Sequence, residues 1–354
     1  MFSANNPKLQ RSWDATSLAA LQFCPRSYQL KILDGWRSRE EADALRAGLI
    51  AHAAWEELAR TKAEPDGADE DAPLRSALRV LLAHSGEERV LYKCPACGAR
   101  FAAPAAGDCP HCGMAVDETN LHVEWELWEP QDATKTPFAI ARALVWYADE
   151  FAGDPKVTLR DCDGVLMLEH GWSLRIKPHR SSQGEQFYLC GIVDEIAQIG
   201  EEVYSVERKT TKSTLGSFYF QRFSPNLQLT MQAWSVHEKG ERSIFRGVML
   251  EALQIGATMA RFVRREIYRT WEDLEEFEQD LAYWLATAEV YARTRYWPKA
   301  EANCAMCPFK KVCSAKPSMR PVILKADFVQ RPWRPLERRE ASRVRLEELR
   351  DETR

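Results

Sequence analysis

The chain has 354 residues, 45% hydrophobic and 28% charged, with a net charge of −4. That length and balance describe a globular chain with a full core and exclude a disordered or fibrous one. A slightly acidic total also excludes nucleic-acid binding by bulk charge, so any such contact needs a local basic patch.

The first residues, MFSANNPKLQRSWD, carry no apolar leader, and no stretch approaches about 18 apolar residues, which points to a cytoplasmic protein without membrane contact. Ten cysteines in such a chain read as metal or cluster ligands, not disulfides. Thr16 or Ser17 is the expected N-cap of a first helix carrying Leu18, Leu21 and Phe23, and Cys24-Pro25 follows it. Ser38 to Glu41 has the pattern of a capping box and opens a helix to about Arg60. Its expected inner face is Leu45, Leu49, His52, Glu56 and Ala59, with Gly48 one turn before His52. An acidic, Pro/Gly-containing loop spans 63–73, and helical spacing resumes over 74–84.

Cys94-x2-Cys97-Gly and Cys109-x2-Cys112-Gly are separated by eleven residues. This is the spacing of a zinc ribbon: two knuckles, each giving two thiolates to one tetrahedral, structural Zn²⁺. Residues 137–151 form a short helix. Residues 165–176 read as two short strands turning near His170-Gly171, with Glu169 a further acidic contributor to any nearby site. Cys162 and Cys190 read as core thiols.

The densest chemistry lies in GIVDEIAQIGEEVYSVERK, residues 191–209. It reads as a β-hairpin closed by Gly200-Glu201 in a type II′ turn. Ile199 then pairs with Glu202, and counting outward sets Asp194 opposite Glu207, with Cβ atoms roughly 4.5–5.5 Å apart. Lys209 shares the face of Glu207 because the strand period is two. Two carboxylates and an ammonium so placed suit Mg²⁺ or Mn²⁺ and a phosphate substrate.

Thr210, Lys212, Tyr219 and Arg222 follow as hydroxyls, cations and an aromatic suited to phosphates and stacked bases. Ser224-Pro225 begins a helix on which Gln228 can reach back to the hairpin. Residues 244–250 and 257–267 read as core strands, and Thr270 to Asp273 caps a helix to about Arg295. Cys304-x2-Cys307-x5-Cys313 is one thiol short of a full set, and Cys24 is the candidate fourth ligand of either Zn²⁺ or a [4Fe–4S] cluster. The tail, 331–354, is rich in arginine.

Taken in order, Cys24-Pro, Gly48-x3-His52, Gly191-x2-Asp194, Glu207-x-Lys209, Gln228 and the C-terminal cysteine trio resemble the RecB-like branch of the PD-(D/E)XK nuclease superfamily. The pattern is similar to that of the CRISPR-associated RecB-like exonucleases and the AddB nuclease domain. The resemblance implies a central mixed sheet flanked by helices and a Mg²⁺- or Mn²⁺-dependent deoxyribonuclease, an exonuclease on single strands or duplex ends. His52, Asp194, Glu207 and the carbonyl of Arg208 would be metal ligands, and Lys209 the catalytic lysine. Gln228 would match the Gln of the family's Q-x3-Y helix. Cys24, Cys304, Cys307 and Cys313 would hold a [4Fe–4S] cluster that joins the chain ends.

The implied domains are an N-terminal part of the core (1–60), an insertion (61–160) containing the ribbon, the catalytic core (161–300), the cysteine cluster (301–320) and a charged tail (321–354). Two features depart from the family pattern: Gln232 stands where Tyr is expected, and the ribbon is an insertion. Partners would be DNA and a recombination, CRISPR or phage protein. The alternative is a non-catalytic DNA-binding or scaffold subunit using the ribbon and tail.

Overall fold

In the computed structural model, which describes residues 8–39, 42–64, 69–101, 107–182, 184–238 and 245–334, the expected hairpin forms the middle of a seven-stranded mixed sheet. In chain order its strands are β1 (Ser12–Trp13), β2 (Val157–Thr158), β3 (Leu168–Arg180), β4 (Gln186–Ile199), β5 (Glu202–Thr211), β6 (Phe245–Ile255) and β7 (Ala260–Ile267). Gly200 takes φ +63°, as the first position of the turn requires, and Ile199 pairs with Glu202. The ladder holds that register down to Glu195 and Val206, one step short of Asp194 and Glu207. On its other side β4 pairs antiparallel with β3 and β2 and parallel with β1, while β5 pairs parallel with β6.

Residues 203–208 of β5 are buried without interruption, so both faces of the sheet are covered. Helices α1 (Ala15–Phe23), α2 (Ser217–Gln221), α3 (Leu227–Glu238) and α4 (Trp271–Thr294) supply core residues such as Leu18, Phe220, Leu229 and Leu281, which pack with Val193, Val203 and Leu250. The N-cap of α1 is Asp14, not Thr16 or Ser17. Its carboxylate accepts the Ser17 amide while the Ser17 hydroxyl receives the Asp14 N–H. Thr270 and Asp273 form the expected capping box of α4.

The turn expected at His170-Gly171 is absent. β3 runs through it, because His170 and Gly171 pair with Val193 and Ile192. The irregularity sits instead at Glu169, whose φ is +45°. Ser38 does not cap a helix either. It lies in a short strand, Trp36–Ser38, paired with Phe328–Gln330, and residues 40 and 41 of the expected capping box lie outside the described residues.

The chain ends are joined through the same unit. Trp13 stacks on Tyr28 at 5.5 Å between ring centroids, and Tyr28 meets Trp297 at 5.1 Å. This unit comprises Met1–Ala42, Phe151–Gln254 and Arg261–Arg354, and Asp43–Glu150 with Ile255–Ala260 forms a second. The boundary at Ala42 groups helix Asp43–Ala63 with the second unit, where Glu57 accepts from Ser76 and Trp55 meets Tyr147 edge-on at 5.6 Å. Its buried face is Ala47, Ile50, Ala51, Ala54, Trp55 and Leu58, whereas Leu45 and Leu49 are exposed, contrary to the face read from the sequence. Trp55 outweighs those leucines in buried apolar area and sets the helix's rotation.

Candidate active site

Side chains on β4 and β5 alternate between two kinds of chemistry. Asp194 and Glu207 face one way, and their neighbours Glu195 and Arg208 face the other. The Asp194 carboxylate accepts the backbone N–H of Arg208 at 2.7 Å, which closes the hairpin where the ladder stops. A carboxylate oxygen of Glu169 lies within 4.8 Å of one on Asp194. The positive φ of Glu169 is a conformation that non-glycine residues seldom adopt and that costs on the order of 1–3 kcal/mol.

Glu207 is 1% exposed and held from three directions. Gln228 donates to its Oε1 at 2.7 Å, Gln232 donates to its Oε2 at 2.5 Å, and the Lys209 ammonium closes on Oε1. Lys209 also donates to the Gln228 carbonyl at 3.0 Å, so one amide links acid and ammonium. Burial, and then the charge of Asp194, push the Glu207 carboxyl above its ordinary range. Burial opposes the Lys209 ammonium, but the Glu207 carboxylate outweighs it and raises that pKa. The site is therefore electronegative and short of positive charge.

Behind it lies a buried ionic network that the sequence did not reveal. Arg208 reaches Glu195 and, at 3.0 Å, Glu251. Lys156 binds both of those acids at 2.7 and 3.2 Å, and Arg264 joins Glu251 to Asp154. Glu195, Arg208 and Glu251 are all under 4% exposed. Thr158 adds a bond to Glu195 at 2.7 Å. Burial raises both acids, but Lys156 and Arg208 outweigh it and hold Glu195 and Glu251 below the ordinary carboxylate range. The network fixes the side chain of the residue whose backbone amide holds Asp194.

This D…E-x-K arrangement on a mixed sheet has a counterpart in sequence: the PD-(D/E)XK nuclease superfamily matches residues 12–314. The chain belongs to the PD-(D/E)XK nuclease superfamily. Members are nucleases that use divalent metals and act on DNA. No curated protein matches the sequence. Among solved structures the nuclease is similar to one described as the crystal structure of SSO0001, at 17% identity and a TM-score of 0.27, over 51% of this chain and 72% of that one.

The donor set of the nuclease fits such a metal: hard carboxylate oxygens of Asp194 and Glu169 lie within 4.8 Å of one another, and the charge of Asp194 acts on Glu207 beside them. The Arg208 carbonyl belongs to the same strand, and His52 lies half-buried on helix Asp43–Ala63 of the second unit.

Thr210 is half-buried at the end of β5, and Lys212 and Arg222 are exposed. Tyr219 is buried, its ring 5.1 Å from Phe220 and 5.5 Å from Phe223, with the Arg222 guanidinium over it at 4.1 Å. It is a core anchor and no base-stacking surface. The outward ring is Phe218, 87% exposed on α2.

Two cysteine groups complete the picture. Cys94, Cys97, Cys109 and Cys112 bring their sulfurs within 4.8 Å of one another, with 3.5 Å from Cys94 to Cys112 and 3.7 Å from Cys97 to Cys109. A tetrahedron with bonds of about 2.3 Å has edges of about 3.8 Å, so the quartet fits a single ion. Gly98 and Gly113, at φ +70° and +71°, turn the backbone identically in the two knuckles. The Cys97 amide draws the Cys94 thiol down to about 7. The Met114 amide favours the Cys112 thiolate, but hydrogen bonds with the sulfurs of Cys94 and Cys97 outweigh it and push Cys112 up to about 12.

The second group, Cys24, Cys304, Cys307 and Cys313, lines one cavity with Phe23, Ser27 and Phe309. Four positions spread over 290 residues of chain thus line the same cavity. Cys190 is buried as expected, but Cys162 is exposed in a loop, where no strand covers it.

Proposed function

We propose that the nuclease hydrolyses DNA phosphodiesters with Mg²⁺ or Mn²⁺ at Asp194, Glu207 and the Arg208 carbonyl, with His52 as a further ligand. The observation that carries this is the Lys209 ammonium held by Glu207 and Gln228 beside Asp194. A divalent cation supplies Lewis acidity there, which activates water and offsets charge on the phosphate. Lys209 orients the attacking water and stabilises negative charge as it grows on the phosphoryl group, and Gln228 keeps that ammonium in place.

Exonuclease action on single strands or ends, in recombination, repair or CRISPR or phage DNA processing, accords with an exposed run of Lys212, Phe218 and Arg222 beside the site. There the ring of Phe218 offers a base-stacking face. We assign Zn²⁺ to the ribbon quartet and a [4Fe–4S] cluster to the cavity of Cys24, Cys304, Cys307 and Cys313. Burial and the neighbouring Cys307 raise the Cys313 thiol, and bound cationic charge would offset both. The ribbon and tail offer surfaces for a partner protein. Among the described residues no helix is long and apolar enough to cross a membrane.

The test is cleavage of end-labelled single- and double-stranded DNA with Mn²⁺ by anaerobically purified protein, with Lys209→Ala as control. Metal-dependent products that fall by at least about 10²-fold in the variant are expected, in line with the loss of one charge-stabilising donor. Equal cleavage by both proteins would remove the site. No cleavage by cluster-loaded protein would favour a DNA-binding subunit.

A further inference from the structure

The three donors on Glu207 are not equivalent. A carboxylate has about four lone-pair positions, two on each oxygen. Among the described residues Oε1 receives Gln228 and Lys209, filling both its positions, whereas Oε2 receives Gln232 alone. One acceptor position therefore remains, and it is on Oε2. Gln232 follows Gln228 by one helical turn of α3, so both amides project from the same face onto the same acid.

Gln232 is 2% exposed, and its own carbonyl oxygen is buried with no donor among the described residues. A buried amide that leaves its acceptor unmatched is held there for what its nitrogen does. It also occupies the place where the sequence pattern anticipated a tyrosine, and it turns inward to the acid, not outward to substrate.

We propose that Gln232 is a positioning residue for the metal site: it orients Glu207 so that the remaining lone pair of Oε2 is the one presented to the divalent cation. The inference rests on the nuclease reading of the hairpin. The lengths fit this division of labour. Gln228 spans acid and lysine and so serves Lys209 as much as Glu207, whereas Gln232 touches Glu207 alone within the site. Loss of Gln232 frees the carboxylate to rotate about its last torsion, which is broad and soft in glutamate. The cation then meets an acid that must be ordered at the moment of binding.

The experiment is titration calorimetry of Mn²⁺ into the full chain without DNA, on wild type, Gln232→Met, Gln232→Asn and Asp194→Ala, with folding checked by circular dichroism. Methionine keeps the volume and removes the donor. Asparagine keeps a polar amide for folding and withdraws it by one methylene. Mn²⁺ affinity should fall about 10–100-fold in both Gln232 variants, the usual effect of removing a group that orients a ligand. Cleavage by those variants should lose kcat with KM for DNA unchanged. A role confined to stability would lower the melting temperature and leave Mn²⁺ affinity at the wild-type value, and that result overturns the inference. Binding that is lost in Asp194→Ala but unchanged in the Gln232 variants overturns it while sparing the nuclease reading. No Mn²⁺ binding by wild type overturns both.

Discussion

A single carboxylate illustrates how this site is tuned. Glu207 is buried beside Asp194, and burial first, then the charge of Asp194, makes the Glu207 charge harder to bear. Asp194→Asn removes that repulsion while keeping an oxygen for the Arg208 amide. In chelator the variant should melt above wild type by about 2–3 °C, the equivalent of about 1 kcal/mol, and it should be inactive. A scan in EDTA checks this, and a lower melting temperature would show that the pair is not strained. Phe218 belongs to the same scale. Its ring is 87% exposed, so Phe218→Ala leaves the core intact. KM for single-stranded DNA should rise about tenfold, since one base stack is worth about 1–3 kcal/mol. Steady-state kinetics on a short oligonucleotide would measure it.

At the scale of the element, the hairpin is a plate with Asp194 and Glu207 on one face and a buried ion network on the other. Glu195 and Glu251 have pKa values below their ordinary 4.5, so the unfolded chain binds protons before the folded one does. The network's contribution is thus complete above about pH 4.5 and is lost as pH falls through the folded values. Glu251→Gln leaves Lys156, Arg208 and Arg264 short of one buried charge. It should cost about 3–5 kcal/mol at pH 7 and flatten the acid limb of the stability curve, measurable by urea unfolding from pH 3 to 7. The hairpin's register was legible in the sequence, because a two-residue turn with glycine first allows one pairing, and the ladder follows it from Ile199 and Glu202 down to Glu195 and Val206. The network behind it was not. Lys156, Glu251 and Arg264 come from three other segments, and no local spacing announces that buried strand positions will hold charges. Gln232 stood out only as a departure from the family pattern, and its contact with Glu207 was hidden for a related reason, since that partner is 25 residues away on a strand. The turn assigned to His170-Gly171 shows the opposite error: pairing with β4 overrode a local glycine signal.

Across the whole molecule, the two cysteine quartets make separable claims. Cys109→Ser should lose one equivalent of zinc and keep its iron. Cys307→Ser should lose the iron and its visible absorbance while keeping zinc, and it should melt several degrees lower because the cavity draws on both ends of the chain. Metal analysis of anaerobically purified variants decides both, and coupled loss of zinc and iron in either would contradict the assignment. The grouping of Cys94, Cys97, Cys109 and Cys112 was readable from spacing alone because both Cys-x2-Cys pairs are local. The other group was readable only as a shortage, three thiols where four are needed, and Cys24 lines the same cavity from far along the chain.

That closure has a consequence for how the protein is made. The sulfur of Cys24 accepts the amide of Ala300, 276 residues further along the chain, and Trp36–Ser38 pairs with Phe328–Gln330. A ribosome adds about 5–20 residues per second, so the N-terminal segment waits roughly 15–55 s for these partners to emerge. During synthesis Cys24 is an unclaimed thiol and Tyr28 lacks Trp297. The hairpin bearing Asp194 and Glu207 leaves the ribosome well before these partners meet, so a nascent chain carries the candidate site before it has the frame that closes the fold.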